Sequence, residues 1–298
     1  MPYKSIGCIL MASTLLLAKY INKDVYILRL NEADDMLIKK AARYISRSRQ
    51  SRSTDQEEVS VGTFMLVNEG AIDLYKNFIH YFNRIEGRWE VYIGTTGKSV
   101  VSVAKDAGHH IILIEFDEIS DEMLDFGNED YQIAIYARTK IMNVLLNTDS
   151  YSFWLVADVD AVWLCNPYDV IINLYAIEQF EIGGQMDGPN LCGGFLFLRA
   201  SMGVRLLWQN VTDTYYKSIS SHKVDRSIEN TEQGILNKLL NKKSVAVKEF
   251  DRDIFPSGDD YFVHRRRSKA CVVHNNYIIG IDKKIQRFKE ANLWQVAG

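Results

Sequence analysis

The stretch Phe153-Trp154-Leu155-Val156-Ala157-Asp158-Val159-Asp160-Ala161-Val162-Trp163-Leu164-Cys165-Asn166-Pro167 opens as an apolar run and ends abruptly in two carboxylates one residue apart. It reads as a buried strand with acids at its tip. In an extended chain alternate side chains share a face, so Asp158 and Asp160 converge on one cation. Mg2+ and Mn2+ take carboxylate oxygens and complete their shells with substrate phosphates, so phosphate-linked chemistry is expected. Paired acids at this spacing also occur on exposed strand ends and in turns. Here the preceding residues are apolar, and unpaired acids at the end of a buried strand are costly to desolvate.

Outward from this strand the pattern alternates. Phe64-Met65-Leu66-Val67 is closed by Asn68 and Gly70 and followed by Ile72, Tyr75, Phe78, Ile79 and Phe82 at helical spacing. Glu90 to Ile93 predicts a second strand, Ser99 to Ala107 a helix and His110 to Ile114 a third strand. A longer helical pattern from Tyr131 to Leu146 delivers the chain to the central strand. Strands alternating with helices imply an α/β fold with a mostly parallel sheet. Ligands of open α/β sheets bind beyond the carboxyl ends of the strands, where the D-x-D falls.

With 47% hydrophobic and 24% charged residues in 298, the chain has globular composition and length for one large domain or two small ones. A net charge of -3 gives no bulk basicity for nucleic acid or an anionic membrane surface. Ser5 to Ala18 is uncharged and mostly apolar between Lys4 and Lys19, short of the roughly 20 residues a spanning helix needs. Residues 1–23 therefore read as a signal anchor or signal peptide, with a buried N-terminal helix as the alternative. Residues 24–58 read as a polar stem, and 59–298 as one catalytic domain. Cys8 lies in the apolar stretch, which leaves Cys165, Cys192 and Cys271, an odd number without C-x-x-C spacing. Neither a zinc site nor a disulfide framework is expected from them. Asn210-Val211-Thr212 is a glycosylation sequon.

Beyond the D-x-D come Gly184-Gln185-Met186-Asp187-Gly188, Cys192-Gly193-Gly194-Phe195, Glu232-Gln233-Gly234-Ile235-Leu236-Asn237, Phe255-Pro256-Ser257-Gly258, and His274-Asn275-Asn276-Tyr277 followed by Gly280 and Lys283. In this order and with similar gaps, from about Val61 to Trp294, the sequence resembles nucleotide-diphospho-sugar transferases with a GT-A-like fold. The likeness is to the retaining α-glycosyltransferases that include plant cell-wall xylosyl- and arabinosyltransferases. Glu232 stands where that group usually has aspartate, and Cys192 where many members carry asparagine.

The resemblance implies a single GT-A-like domain and a glycosyltransferase that moves a sugar from a nucleotide-diphosphate sugar to a glycan or glycoprotein acceptor, with retention. It implies Asp158, Asp160 and His274 as ligands of Mn2+ or Mg2+. It implies Lys283 as the lysine on the donor diphosphate, with Lys284 able to substitute and Lys140 a further candidate. Asp187, Glu232 and Gln233 are implied at the sugar. Plainer readings stand beside these: a packed core histidine for His274, surface charges for the lysines, a turn residue for Asp187 and a helix first turn for Glu232. Trp154, Trp163 and Trp294 read as core or rim, and His264 to Lys269 as a solvated charge run. With the N-terminal segment, the expectation is a Golgi or other secretory-pathway membrane with a lumenal domain, or secretion. Two other functions fit a D-x-D at a strand end. One is a phosphohydrolase with an aspartate nucleophile; the other is a catalytically silent sugar- or nucleotide-binding module.

Overall fold

The structure is a computed structural model that describes residues 25–29, 59–87, 89–115, 129–220, 228–242 and 245–296. The Ser5 to Ala18 segment lies outside the described residues, as does the stretch before 59 apart from 25–29. Strands β1 (Val25–Arg29), β2 (Val61–Leu66), β3 (Glu90–Thr95), β4 (His110–Glu115), β5 (Phe153–Ala157), β7 (Ile182–Asp187), β8 (Asn190–Arg199) and β9 (Val247–Glu249) form one sheet. Its order is β1-β4-β3-β2-β5-β8-β7-β9. A separate antiparallel pair joins β6 (Ala161–Trp163) to β10 (Val272–His274). The helices are α1 (Ile72–Phe82), α2 (Lys98–Asp106), α3 (Glu129–Leu146), α4 (Pro167–Glu178), α5 (Met202–Ser220), α6 (Glu232–Leu240) and α7 (Ile281–Glu290).

The expected strand and helix alternation is present from β2 to β5, and every pair on that side of the sheet is parallel. The pairing sense changes at β5, which is parallel to β2 and antiparallel to β8. β1 comes from upstream of position 59, inside the stretch whose composition reads as a stem, and pairs with β4. Its Val-Tyr-Ile-Leu run is the apolar, β-branched and aromatic content that an edge strand needs.

β5 is covered on both faces, as its unbroken apolar run requires. Phe153, Leu155 and Ala157 enter one core cluster with Phe195 and Phe197, whereas Trp154 and Val156 enter the other with Leu196, Trp208 and residues of α3. Trp154 and Trp163 are core, as expected. Past β6 the chain turns sharply into α4, because the Asn166 side chain caps Tyr168 N at 3.1 Å and Pro167 takes the first helical position. The sequon falls inside α5, with Asn210 exposed and Thr212 buried and bonded to Trp208 O.

The cysteine expectation is corrected. Cys165 and Cys271 form a disulfide across 106 residues, and Cys192 stays free. An odd count excludes complete pairing but not one bridge with one thiol left over. The two sulfurs flank the β6·β10 pair, in which Trp163 sits opposite Val272, and Cys271 O accepts from Leu164 N at 2.7 Å. The bridge therefore ties the segment after Asp160 to the segment before His274.

Closing so long a loop restricts the unfolded chain, so a Cys165→Ala/Cys271→Ala variant is expected to lose about 2–4 kcal/mol of stability. Thermal unfolding with and without reductant checks this: reductant should lower the Tm of the native protein and leave that of the variant unchanged.

Candidate active site

The D-x-D lies just past the carboxyl end of β5, in a turn closed by Ala161 N donating to Asp158 O at 3.1 Å. The two acids thus converge because the chain turns, which corrects the expected alternation along an extended strand. Asp158, Asp160 and His274 each offer an atom within 4.8 Å of the others. His274 Nε2 is 3.3 Å from Asp160 Oδ1 and 3.6 Å from Asp158 Oδ2.

The imidazole is oriented from behind. Gln185 Nε2 donates to Pro256 O at 2.7 Å and to Phe255 O at 3.1 Å, which turns Gln185 Oε1 towards His274 Nδ1, 2.9 Å away. Nδ1 is therefore the N–H, and the Nε2 lone pair of the neutral ring faces the two carboxylates. Without a cation, burial opposes charge on the ring, yet Asp160 and then the Cys192 sulfur outweigh it and hold the pKa well above the usual histidine value. For Asp160 burial pushes the pKa up, but Lys284 first and His274 second outweigh it and hold the carboxyl far below its ordinary range.

The set fits a divalent cation. Two carboxylates and one imidazole suit Mn2+ or Mg2+. Room for them depends on Gly194, where an added Cβ would collide with Asp158 Oδ2 and stand 2.5 Å from His274 Cε1. Gly194 O also accepts from Asp158 N at 2.7 Å. That contact continues the β5·β8 register one step beyond the Ala157 and Phe195 pair. On the other edge of β8 the β7·β8 register is irregular between Gly184 and Met186, and Gly193 N is taken up by Gln233 Oε1 at 2.8 Å.

The candidate lysines separate. Lys284 Nζ is 2.5 Å from Asp160 Oδ2 and lines the cleft that runs over the ends of β2, β3 and β5 past Asn68, Thr95, Arg138 and Asp158. Lys283, one residue earlier on α7, points to solvent. Asn275 sets this register by donating to Lys284 O at 2.9 Å while its own N–H meets Asp160 O at 3.0 Å. Lys140 lies over the Tyr136 ring, away from the cleft, and burial lowers its pKa.

Arg138, on α3, escaped the sequence reading. It is buried and donates to Asp158 Oδ1 at 2.6 Å and to Glu232 Oε2 at 2.5 Å. Glu232 is 1% exposed, and burial raises its pKa although Arg138 pulls the other way. It stands behind the arginine and does not line the cleft. Gln233 and Asp187 do come together. Gln233 Nε2 donates to Asp187 Oδ2 at 2.8 Å, and Tyr277 OH donates to Asp187 Oδ1. An arginine inside the otherwise apolar Ile133-Ala134-Ile135-Tyr136-Ala137 pattern was the available signal for Arg138.

A family profile for nucleotide-diphospho-sugar transferases matches residues 98–288. Among curated proteins the chain is similar to a UDP-D-xylose:L-fucose α-1,3-D-xylosyltransferase of Arabidopsis thaliana, 32% identical over 163 residues that make up 47% of this chain and 42% of that protein. It is also 26% identical over 166 residues to a UDP-galactose:fucoside α-3-galactosyltransferase of Dictyostelium discoideum, covering 48% of this chain and 25% of that one. The matched stretch thus spans less than half the length of these relatives. Among solved structures, the glycosyltransferase GlyE of Streptococcus pneumoniae superposes with a TM-score of 0.53 at 12% identity, over 81% of this chain and 61% of that one. Mouse xyloside xylosyltransferase 1 gives 0.50 at 10% identity, over 75% and 100%. These neighbours share the GT-A glycosyltransferase fold.

Removing one partner of a buried pair strands the other charge, at about 3–5 kcal/mol. Arg138→Met is expected to destabilise the fold by that order in denaturant unfolding, and Arg138→Met/Glu232→Gln to recover most of it. In the single variant the buried acid favours its neutral form. Its folded pKa then lies above the unfolded one, so the loss deepens as pH rises and eases on acidification. The double variant should lack this pH dependence.

Proposed function

The chain belongs to the nucleotide-diphospho-sugar transferase family, and we propose that it transfers a sugar from a nucleoside-diphosphate donor to a hydroxyl of a glycan or glycoprotein, with a divalent cation and with retention. The observation that carries this reading is the convergence of Asp158, Asp160 and an oriented His274 at the mouth of a cleft over the parallel strands. Arabidopsis relatives use UDP-xylose and L-fucose, and the Dictyostelium relative UDP-galactose and a fucoside. The sugars differ while the carrier and acceptor recur, which favours a UDP-sugar donor and a fucose-bearing acceptor here.

Asp158, Asp160 and His274 would hold Mn2+ or Mg2+, which neutralises charge on the leaving diphosphate when bound. Lys284, between Asp160 and the cleft, adds fixed positive charge where the phosphates part from the sugar. The bond from the anomeric carbon to the diphosphate oxygen breaks, the acceptor oxygen bonds to that carbon on the same face, and the acceptor's proton passes to the departing phosphate oxygen. A covalent route through Glu232 or Asp187 is disfavoured. Glu232 is enclosed and ion-paired, and both oxygens of Asp187 accept hydrogen bonds.

The disulfide supports an oxidising compartment. With the Ser5 to Ala18 stretch it favours a secretory-pathway membrane, the Golgi above all, with the catalytic domain lumenal. No helix among the described residues is long and apolar enough to cross a membrane, and the proposed anchor lies outside them.

EDTA is expected to abolish transfer and Mn2+ or Mg2+ to restore it, with Asp158→Asn and Asp160→Asn each lowering the rate by about 100-fold or more. Full activity in EDTA refutes the metal assignment, and a β-linked product from an α-linked donor, read by NMR, refutes retention. Gln185→Leu removes the acceptor behind His274 together with the two bonds to Phe255 O and Pro256 O, and calorimetry should find Mn2+ affinity lowered about 10- to 100-fold. In intact microsomes the protein should resist protease until detergent is added; a cytosolic protein refutes the compartment.

A further inference from the structure

Among the described residues four non-glycine residues have positive φ: Gln179, Arg265, Tyr277 and Asn292. Gln179 and Asn292 follow the ends of α4 and α7, and Arg265 follows a π-helical turn at Asp259–Val263. Those are places where a left-handed residue closes a helix. Tyr277 has no such role. It lies between β10 and α7 with φ of 59°, a region unfavourable for a bulky side chain, and the residue is 56% exposed.

The surroundings impose this conformation. Asn275 accepts from Arg287 Nε at 2.6 Å, and Asn276 Oδ1 accepts from Gly258 N at 2.6 Å. Asn276 O accepts from Arg287 Nη2 at 2.5 Å. Beyond the strained residue, the Tyr277 hydroxyl is held by Asp187, which Gln233 holds in turn from α6. A clamped backbone that presents an open aromatic ring at a candidate site is strain of the kind that accompanies function.

Its location selects the role. Along the strand tips the cleft lies over β2, β3 and β5, and the three metal-binding candidates sit at β5. Asp187 and Gln233 stand further on, at the β7 and β8 end, and do not line the cleft. Resting on the glycosyltransferase reading above, we propose that Tyr277 is the stacking platform for the acceptor sugar. Its ring would take the apolar face of a deoxyhexose such as a fucoside, beside the Asp187 and Gln233 wall. A tyrosine offers a large, rigid, amphipathic surface at low entropic cost, and its hydroxyl tie to Asp187 fixes the ring before the acceptor arrives.

Two variants of the full chain test this, Tyr277→Gly and Tyr277→Phe, assayed for transfer to methyl α-L-fucoside and for donor hydrolysis without acceptor. Tyr277→Gly suits the left-handed backbone, so its Tm should hold or rise. Its acceptor KM should rise about tenfold or more while donor hydrolysis stays within about twofold. Tyr277→Phe keeps the ring and should retain most of the acceptor affinity. Saturation-transfer NMR of methyl α-L-fucoside with UDP and Mn2+ should lose its signal in Tyr277→Gly and keep it in Tyr277→Phe. An unchanged acceptor KM in Tyr277→Gly overturns the platform. So does a parallel loss of hydrolysis, which would place Tyr277 on the donor, or a marked fall in Tm, which would make it structural. Native protein inert in both assays overturns the transferase reading itself and the platform with it.

Discussion

Asp160 carries its negative charge at a position only 4% exposed, and a desolvated carboxylate must be met by charge inside the protein. Lys284 from α7 and His274 from β10 meet it, Arg138 from α3 meets Asp158, and Glu232 from α6 meets Arg138. One chain of ion pairs thus draws elements from distant parts of the sequence onto the tip of β5. Counted as ionised, the three acids are balanced by arginine, lysine and a protonated imidazole. A divalent cation that takes the place of the imidazole proton leaves the cluster with surplus positive charge. A diphosphate is the natural complement of that surplus, so cation and donor are favoured together more than either alone.

Topology puts this cluster where it is useful. At β5 the sheet changes from parallel to antiparallel pairing, so helices α1 to α3 begin or end beside a crevice on one side while the β7·β8 hairpin forms a wall on the other. The β6·β10 pair and its disulfide then carry His274 back against the D-x-D turn. Each device fixes a distance that the next depends on. The bridge holds β10, β10 holds the imidazole, and Gln185 holds its tautomer.

Much of this was legible in the sequence, because strand-then-helix periodicity survives wherever an element is half or fully buried. The D-x-D was visible as chemistry at a strand end, whereas His274, Asp187 and Gln233 were marked by the resemblance, which paired Gln233 with Glu232 and not with Asp187. The misses have physical causes. Arg138 sits in a helix covered on most sides, where one polar residue leaves no periodic trace. Lys283 and Lys284 differ by one position, and on a helix that is a turn of about 100° which only the Asn275 anchor resolves. The disulfide joins residues 106 apart, a proximity that arises from the β6·β10 pairing rather than from spacing. The convergence of the two acids was expected for the wrong geometric reason, since a turn and an alternating strand leave the same D-x-D signature.

The irregularity in β7·β8 brings the Asp158, Asp160 and His274 cluster and the Asp187 and Gln233 pair into one strand's reach. A ladder that continued the Gly184 and Leu196 register would set Gln185, Met186 and Asp187 opposite Phe195, Gly194 and Gly193; here Met186 faces Leu191 and Asp187 faces Asn190. Gly193 N, released from the β7·β8 ladder, is taken up by Gln233, while Gly194 O keeps the β5·β8 register by accepting from Asp158 N. Met186 turns into the core while Gln185 meets His274 and Asp187 meets Gln233 and Tyr277. A change that slid this strand by one residue would therefore misplace the imidazole and the Asp187 and Gln233 pair together.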